Sequence, residues 1–114
     1  MNGLQEEQLA RAEIFSGICG FTTTVKAQMK ESCCTLSIES ECESIQRFAD
    51  NLLEVDPFRE ISFRGKGPLI LQLAEKHRLH TACPVPAGVI KAVEIAAGLA
   101  LPKNATIKLS KSEE

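Results

Sequence analysis

Five cysteines stand out in a chain of 114 residues, and three of them sit where a thiol can be activated or aimed. Cys42 falls in the first turn of an expected helix, where free backbone N–H groups and the helix dipole favour a thiolate. Cys83 opens the run Cys83-Pro84-Val85-Pro86 at the start of another helix. Prolines cost no hydrogen bonds there, because the N–H groups of a first turn have no partners within the helix. That position predicts a Cys83 thiol that is partly accessible and has a depressed pKa, as a nucleophile requires. Cys19 lies in Ser16-Gly17-Ile18-Cys19-Gly20, where the two glycines allow unusual backbone angles and close approach of another group.

Strand starts and helix N-termini can share one end of a sheet, so the sulfurs of Cys19, Cys42 and Cys83 are expected on one side of the molecule. His80, just before Cys83, is the natural fourth member. Three cysteines and one histidine make a tetrahedral zinc set, and three thiolates with a further ligand suit an iron–sulfur cluster. No C-x2-C pair supports this by spacing, and the plain alternative is that the cysteines pack as small hydrophobes. Cys33 and Cys34 are neighbours on a strand and face opposite ways, so Cys34 is expected in the core and Cys33 at an edge. His77 reads as a satisfied core or boundary histidine, and Lys91 with Glu94 as a solvated pair.

Other chemistries lack their residues. There is no G-x-x-x-x-G-K-[ST] loop, G-x-G-x-x-G loop, G-x-S-x-G elbow or H-E-x-x-H helix. Glu39, Glu41 and Glu43 cluster where a helix begins, and capping and solvation account for them. Lys+Arg number 13 against 15 Asp+Glu, for a net charge of -2, and no basic run exceeds two residues. With five Phe and neither Trp nor Tyr, no base-stacking platform is present, so nucleic acid is not an expected partner. No stretch nears the roughly 20 apolar residues of a membrane helix, and the first residues lack the layout of a secretory signal. The expected setting is cytoplasmic, where an odd number of cysteines stays reduced or binds metal.

The elements that must position the thiols follow from periodicity. Residues 1–13 read as a flexible or short helical lead. From Gly20 the pattern has period two, with Phe21, Thr23, Val25, Ala27 and Met29 on one face, and Cys34, Leu36 and Ile38 repeat it after the break at Lys30-Glu31-Ser32. These runs predict an antiparallel hairpin. Ser40-Glu41-Cys42-Glu43 has the form of a capping box, with Ser40 as N-cap of a helix carrying Ile45, Phe48, Ala49, Leu52 and Leu53 on one stripe and ended by Asp56-Pro57. Ile61 and Phe63 suggest a short strand, and Pro68 the first turn of a helix bearing Leu69, Ile70, Leu73, Ala74 and His77. The helix from Cys83 buries Val89, Ile90, Val93, Ala96, Ala97 and Ala100. Ala105, Ile107 and Leu109 then alternate as a last strand, and residues 111–114 form a disordered tail. The whole predicts a single α+β domain over 1–114, a small antiparallel or mixed sheet with helices packed on one face as a two-layer sandwich. An exposed edge such as Thr35 to Glu39 could pair across a homodimer.

Cys83-Pro84-Val85-Pro86 with its helix, Gly98 and Thr106-Ile107-Lys108-Leu109 resembles the C-P-x-P segment of the TusA/SirA sulfur-carrier family. That resemblance implies a persulfide-carrying cysteine activated by its helix. Taken together, Ser16-Gly17-Ile18-Cys19-Gly20, Cys42 before a helix, and Cys83-Pro84-Val85-Pro86 running to Gly98-Leu99-Ala100-Leu101-Pro102 look like a small prokaryotic family of unknown function. Its shared feature is then the three cysteines, and it implies no activity. Three functions follow as expectations: a metal- or iron–sulfur-binding protein using Cys19, Cys42, Cys83 and His80; a sulfur or redox carrier with Cys83 as the catalytic nucleophile; and an interaction module whose cysteines only pack.

Overall fold

The computed structural model describes residues 9–112. Strands β1 (Leu9–Phe15), β2 (Thr22–Lys30), β3 (Cys33–Ser40) and β4 (Glu54–Val55) make one antiparallel sheet in the order β1-β2-β3-β4. Helices α1 (Glu43–Asp50), α2 (Pro57–Glu60), α3 (Leu69–Lys76) and α4 (Val85–Ala96) supply the second layer. α4 packs on β1 and β2, α1 packs on β3, and α2 and α3 lie against α4.

The burial pattern explains this arrangement. In β2, Thr23, Val25 and Ala27 are buried while Thr22 and Lys26 face solvent, and in β3 Cys34 and Leu36 are buried while Ser37 and Glu39 are exposed. One sheet face is therefore apolar and needs a cover. α1 answers with Ile45 and Phe48, and α4 with Val85, Val89, Ala92, Val93 and Ala96, all buried in one continuous core with Leu52 and Ile70. Each large apolar side chain in that core contributes roughly 1.5–3 kcal/mol by leaving water. The α+β architecture with helices on one sheet face is as the periodicity predicts.

Local differences have identifiable causes. Residues 9–15 form a strand where a loose or helical lead was expected; the inward set Ala10, Ala12 and Ile14 is mostly alanine, so its alternation is faint in sequence. Residues 1–8 and 113–114 lie outside the described residues. Ser40 ends β3 and is not the N-cap of α1, a place taken by Cys42. The Ser40 hydroxyl still accepts the Cys42 N–H at 3.2 Å and a proton from Thr23 Oγ1 at 3.0 Å, so it serves the helix start from two residues upstream.

α1 stops at Asp50, well before Pro57, because the Leu53 carbonyl turns out to accept the Leu36 N–H of β3 at 2.9 Å. Leu53 consequently leaves the apolar stripe and is 67 % exposed. The short strand is β4, not Ile61–Phe63, and both of those side chains face solvent. Pro68 stands at the N-cap position of α3, outside its first turn, and α4 begins at Val85 with Pro84 in the same position. Ala100 lies beyond α4 and is exposed. Residues 105–109 belong to no strand, since no strand among the described residues pairs with them.

Candidate functional site

Strand register brings two of the thiols to one end of the sheet. β1 and β2 are joined by residues 16–21, closed by the Ser16 N–H on the Phe21 carbonyl at 3.0 Å and containing a single 3₁₀ turn, Gly17–Cys19. Gly17 and Gly20 have φ of 78° and 79°, left-handed values that a glycine adopts without strain, and Cys19 is exposed between them. At the same end, Thr23 pairs with Ser40, so the chain leaving β3 reaches Cys42 beside the Cys19 turn. Cys42 is half-buried, and its carbonyl accepts the Gln46 N–H at 2.9 Å as α1 starts.

The third thiol arrives on α4. Gly88 sits against Ile14, which pairs with Thr23. The N-terminus of α4 is thereby pinned near the same sheet end. A Cβ on Gly88 would lie 2.6 Å from Ile14 Cγ1 and nearer still to Cδ1, so only glycine lets the helix come this close. Cys83, half-buried, precedes this helix, its N–H donated to the His80 carbonyl at 2.9 Å.

Electrostatics reports the same neighbourhood. Burial pushes the Cys83 thiol up, the Val85 backbone N–H draws it partly back, and the like charges of Cys42 and Cys19 raise it further. Such repulsion between partly exposed groups is screened beyond about 8–10 Å. The depressed pKa expected for Cys83 is therefore overturned: desolvation outweighs the help of the helix start. Among the described residues, no three His, Cys, Asp or Glu side chains stand close enough to hold one ion as they are. The segments that carry Cys19, Cys42 and Cys83 lead toward one end of the sheet, and no coordination shell is formed among the described residues.

His80 is exposed in the connection between α3 and α4 and shares with Cys83 a shallow cleft of about 540 Å³, walled by Leu71, Glu75 and Pro86. The other cysteines are elsewhere. Cys33 and Cys34 flank the opposite end of the sheet, at the β2–β3 turn, with Cys34 in the core and its thiol pushed up to about 11 by burial. His77 is half-buried with Nε2 at 3.2 Å from Asn51 Nδ2, a satisfied boundary residue as its place on the helix suggests.

Sequence reasoning passed over one supporting group, Glu60. It is only 1 % exposed, and its two carboxylate oxygens accept the N–H groups of Leu69 at 3.1 Å and Ile70 at 2.8 Å. It thus caps α3, one wall of the cleft, in place of Pro68, which has no side-chain acceptor. The available signal was that helix start itself: Pro-Leu-Ile offers no Ser, Thr, Asp or Asn, so its N–H groups need an acceptor from elsewhere.

These features define a small α+β protein whose antiparallel sheet is covered on one face by helices. The chain belongs to a family of unknown function, DUF6951, whose model matches residues 10–109. No curated protein and no solved structure is significantly similar to it. Among the described residues no helix is long and apolar enough to cross a membrane.

Proposed function

We propose that the protein binds a thiophilic metal centre, a zinc ion or an iron–sulfur cluster, through Cys19, Cys42 and Cys83, with His80 or an exogenous group as the remaining ligand. The observation that supports this reading is the placement of three free cysteines, distant in sequence, on segments that lead toward one end of the sheet. Three thiolates repel one another, and a cation relieves that repulsion while compensating the burial of Cys83. Closing the shell would fall to the Cys19 turn, which is exposed and flanked by two glycines. The sulfur- or redox-carrier reading of Cys83 requires a readily ionised thiol, and burial works against one here. Thiolate ligation also fits a reducing compartment such as the cytoplasm.

The test is elemental analysis of protein purified without oxygen. About one zinc, or iron with acid-labile sulfide, should accompany each chain. Cys19→Ser, Cys42→Ser and Cys83→Ser should each retain less of it, and Cys33→Ser should keep it in full. Metal-free protein that also fails to take up zinc or a reconstituted cluster would contradict the proposal.

A further inference from the structure

β1 is an open edge. Among the described residues it pairs with β2 on one side only, and the closing bond from Ser16 N–H to Phe21 carbonyl fixes the alternation of its backbone groups. Ile14, Ala12 and Ala10 bond toward β2, while Phe15, Glu13, Arg11 and Leu9 turn their N–H and C=O groups outward. This edge runs for seven residues with no proline, and Phe15 on it is 65 % exposed. Unpaired edges of such length are templates for another strand. β3, by contrast, has β4 against Cys34 and Thr35 and the Leu53 carbonyl against Leu36, so it offers less.

A strand without a place lies at the other terminus. Residues 98–112 are exposed throughout, yet Ala105, Ile107 and Leu109 alternate with Thr106, Lys108 and Ser110 in the pattern of a half-buried strand. Ile107 and Leu109 are 77 % and 88 % exposed, so the single chain provides no cover for that face. The molecule measures 57 Å along its longest axis and 29 by 28 Å across, and its radius of gyration of 14.6 Å exceeds the roughly 13 Å of a compact chain this long. The arm is part of what the family shares, because the family model runs to residue 109.

We infer that residues 103–110 of one copy add as an outer strand to β1 of a second copy, and the second copy's arm to β1 of the first, giving a two-fold arm-exchanged dimer. Reach permits it: ten extended residues span roughly 33 Å, more than the width of the body. Reciprocal exchange also closes the assembly, because each copy's β1 and each copy's arm are both used. The interface is independent of the thiol site, which lies at the end of the sheet.

The experiment is sedimentation equilibrium in reducing buffer, with amide hydrogen exchange at Arg11 and Glu13, on the full chain and on a chain ending at Leu101. The full chain should have twice the 12.4 kDa monomer mass and slow exchange at both amides. The shortened chain should be a monomer with fast exchange. The double substitution Ile107→Asp and Leu109→Asp should behave like the shortened chain, with the helical circular dichroism signal retained. A monomeric full chain overturns the inference, including one with protected amides, which would have its arm on its own β1. A dimer that survives removal of the arm overturns it equally.

Discussion

Replacing Gly88 by alanine tests the contact that holds α4, and with it Cys83, against the sheet. In isolation the change should stabilise, since glycine in a helix interior costs about 1 kcal/mol relative to alanine. Here the new Cβ would sit 2.6 Å from Ile14 Cγ1, whereas carbons pack at about 3.5–4.0 Å. Ile14 must leave its rotamer or α4 must back away from β1, and overpacking of this kind costs about 1–3 kcal/mol. Gly88→Ala should therefore be destabilising by about 0–2 kcal/mol in the natural chain. Combined with Ile14→Ala, which clears the space, the same substitution should stabilise by about 1 kcal/mol. Urea denaturation of the four proteins gives the comparison, read from midpoints at constant slope. A Gly88→Ala effect of the same sign and size in both backgrounds would refute the packing of β1 on α4.

The end of α1 is checked by its two adjacent leucines: Leu52→Ala should cost about 2–5 kcal/mol, as buried leucines do, and exposed Leu53→Ala at most about 0.5 kcal/mol. Comparable losses in urea denaturation would mean that the helix continues past Asp50. Glu60→Gln puts an amide N–H₂ where a carboxylate oxygen accepts a backbone N–H, and should lower stability by about 1–3 kcal/mol; an unchanged midpoint would deny its capping of α3. Cys34 makes stability fall at high pH. Its folded pKa, about 11, lies above the ordinary thiol value of 9.0, so between these values the unfolded chain has shed a proton that the folded chain keeps. Two pH units at about 1.4 kcal/mol each bound the loss at roughly 3 kcal/mol. Cys34→Ala should flatten that part of the decline between pH 9 and 11, and an equally steep decline in the variant would show that another group is responsible.

How much of this was legible beforehand depended on whether a signal was local. β2 and β3 announce themselves because Val25, Ala27, Cys34 and Leu36 repeat at period two, and the helical stripes through Phe48 and Val93 are similarly self-contained. β1 was missed because alanines at 10 and 12 bury little surface and so barely mark an inward face. The run 105–109 has the pattern of a strand but finds no neighbour inside one chain, and pattern does not reveal where a partner lies. The thiols show both sides of this. Their individual settings, two before helices and one between glycines, are visible in the sequence, but their meeting depends on Thr23 pairing with Ser40 and on Gly88 meeting Ile14, neither of which leaves a local trace. The Cys83 pKa failed for a related reason: a helix start can be read from prolines, whereas desolvation is set by whatever packs around the thiol.

The central claim is that Cys19, Cys42 and Cys83 act as one ligand set, and the most direct measurement is X-ray absorption at the edge of the metal bound to anaerobically purified or zinc-reconstituted protein. The account predicts three sulfur scatterers from the protein at about 2.3 Å, falling to two when any one of the three cysteines is replaced by serine. For zinc, a nitrogen at about 2.0–2.1 Å that disappears in His80→Ala would assign the fourth position to His80. A sulfur count unchanged by Cys19→Ser, Cys42→Ser or Cys83→Ser, or reduced only by Cys33→Ser, would contradict the account.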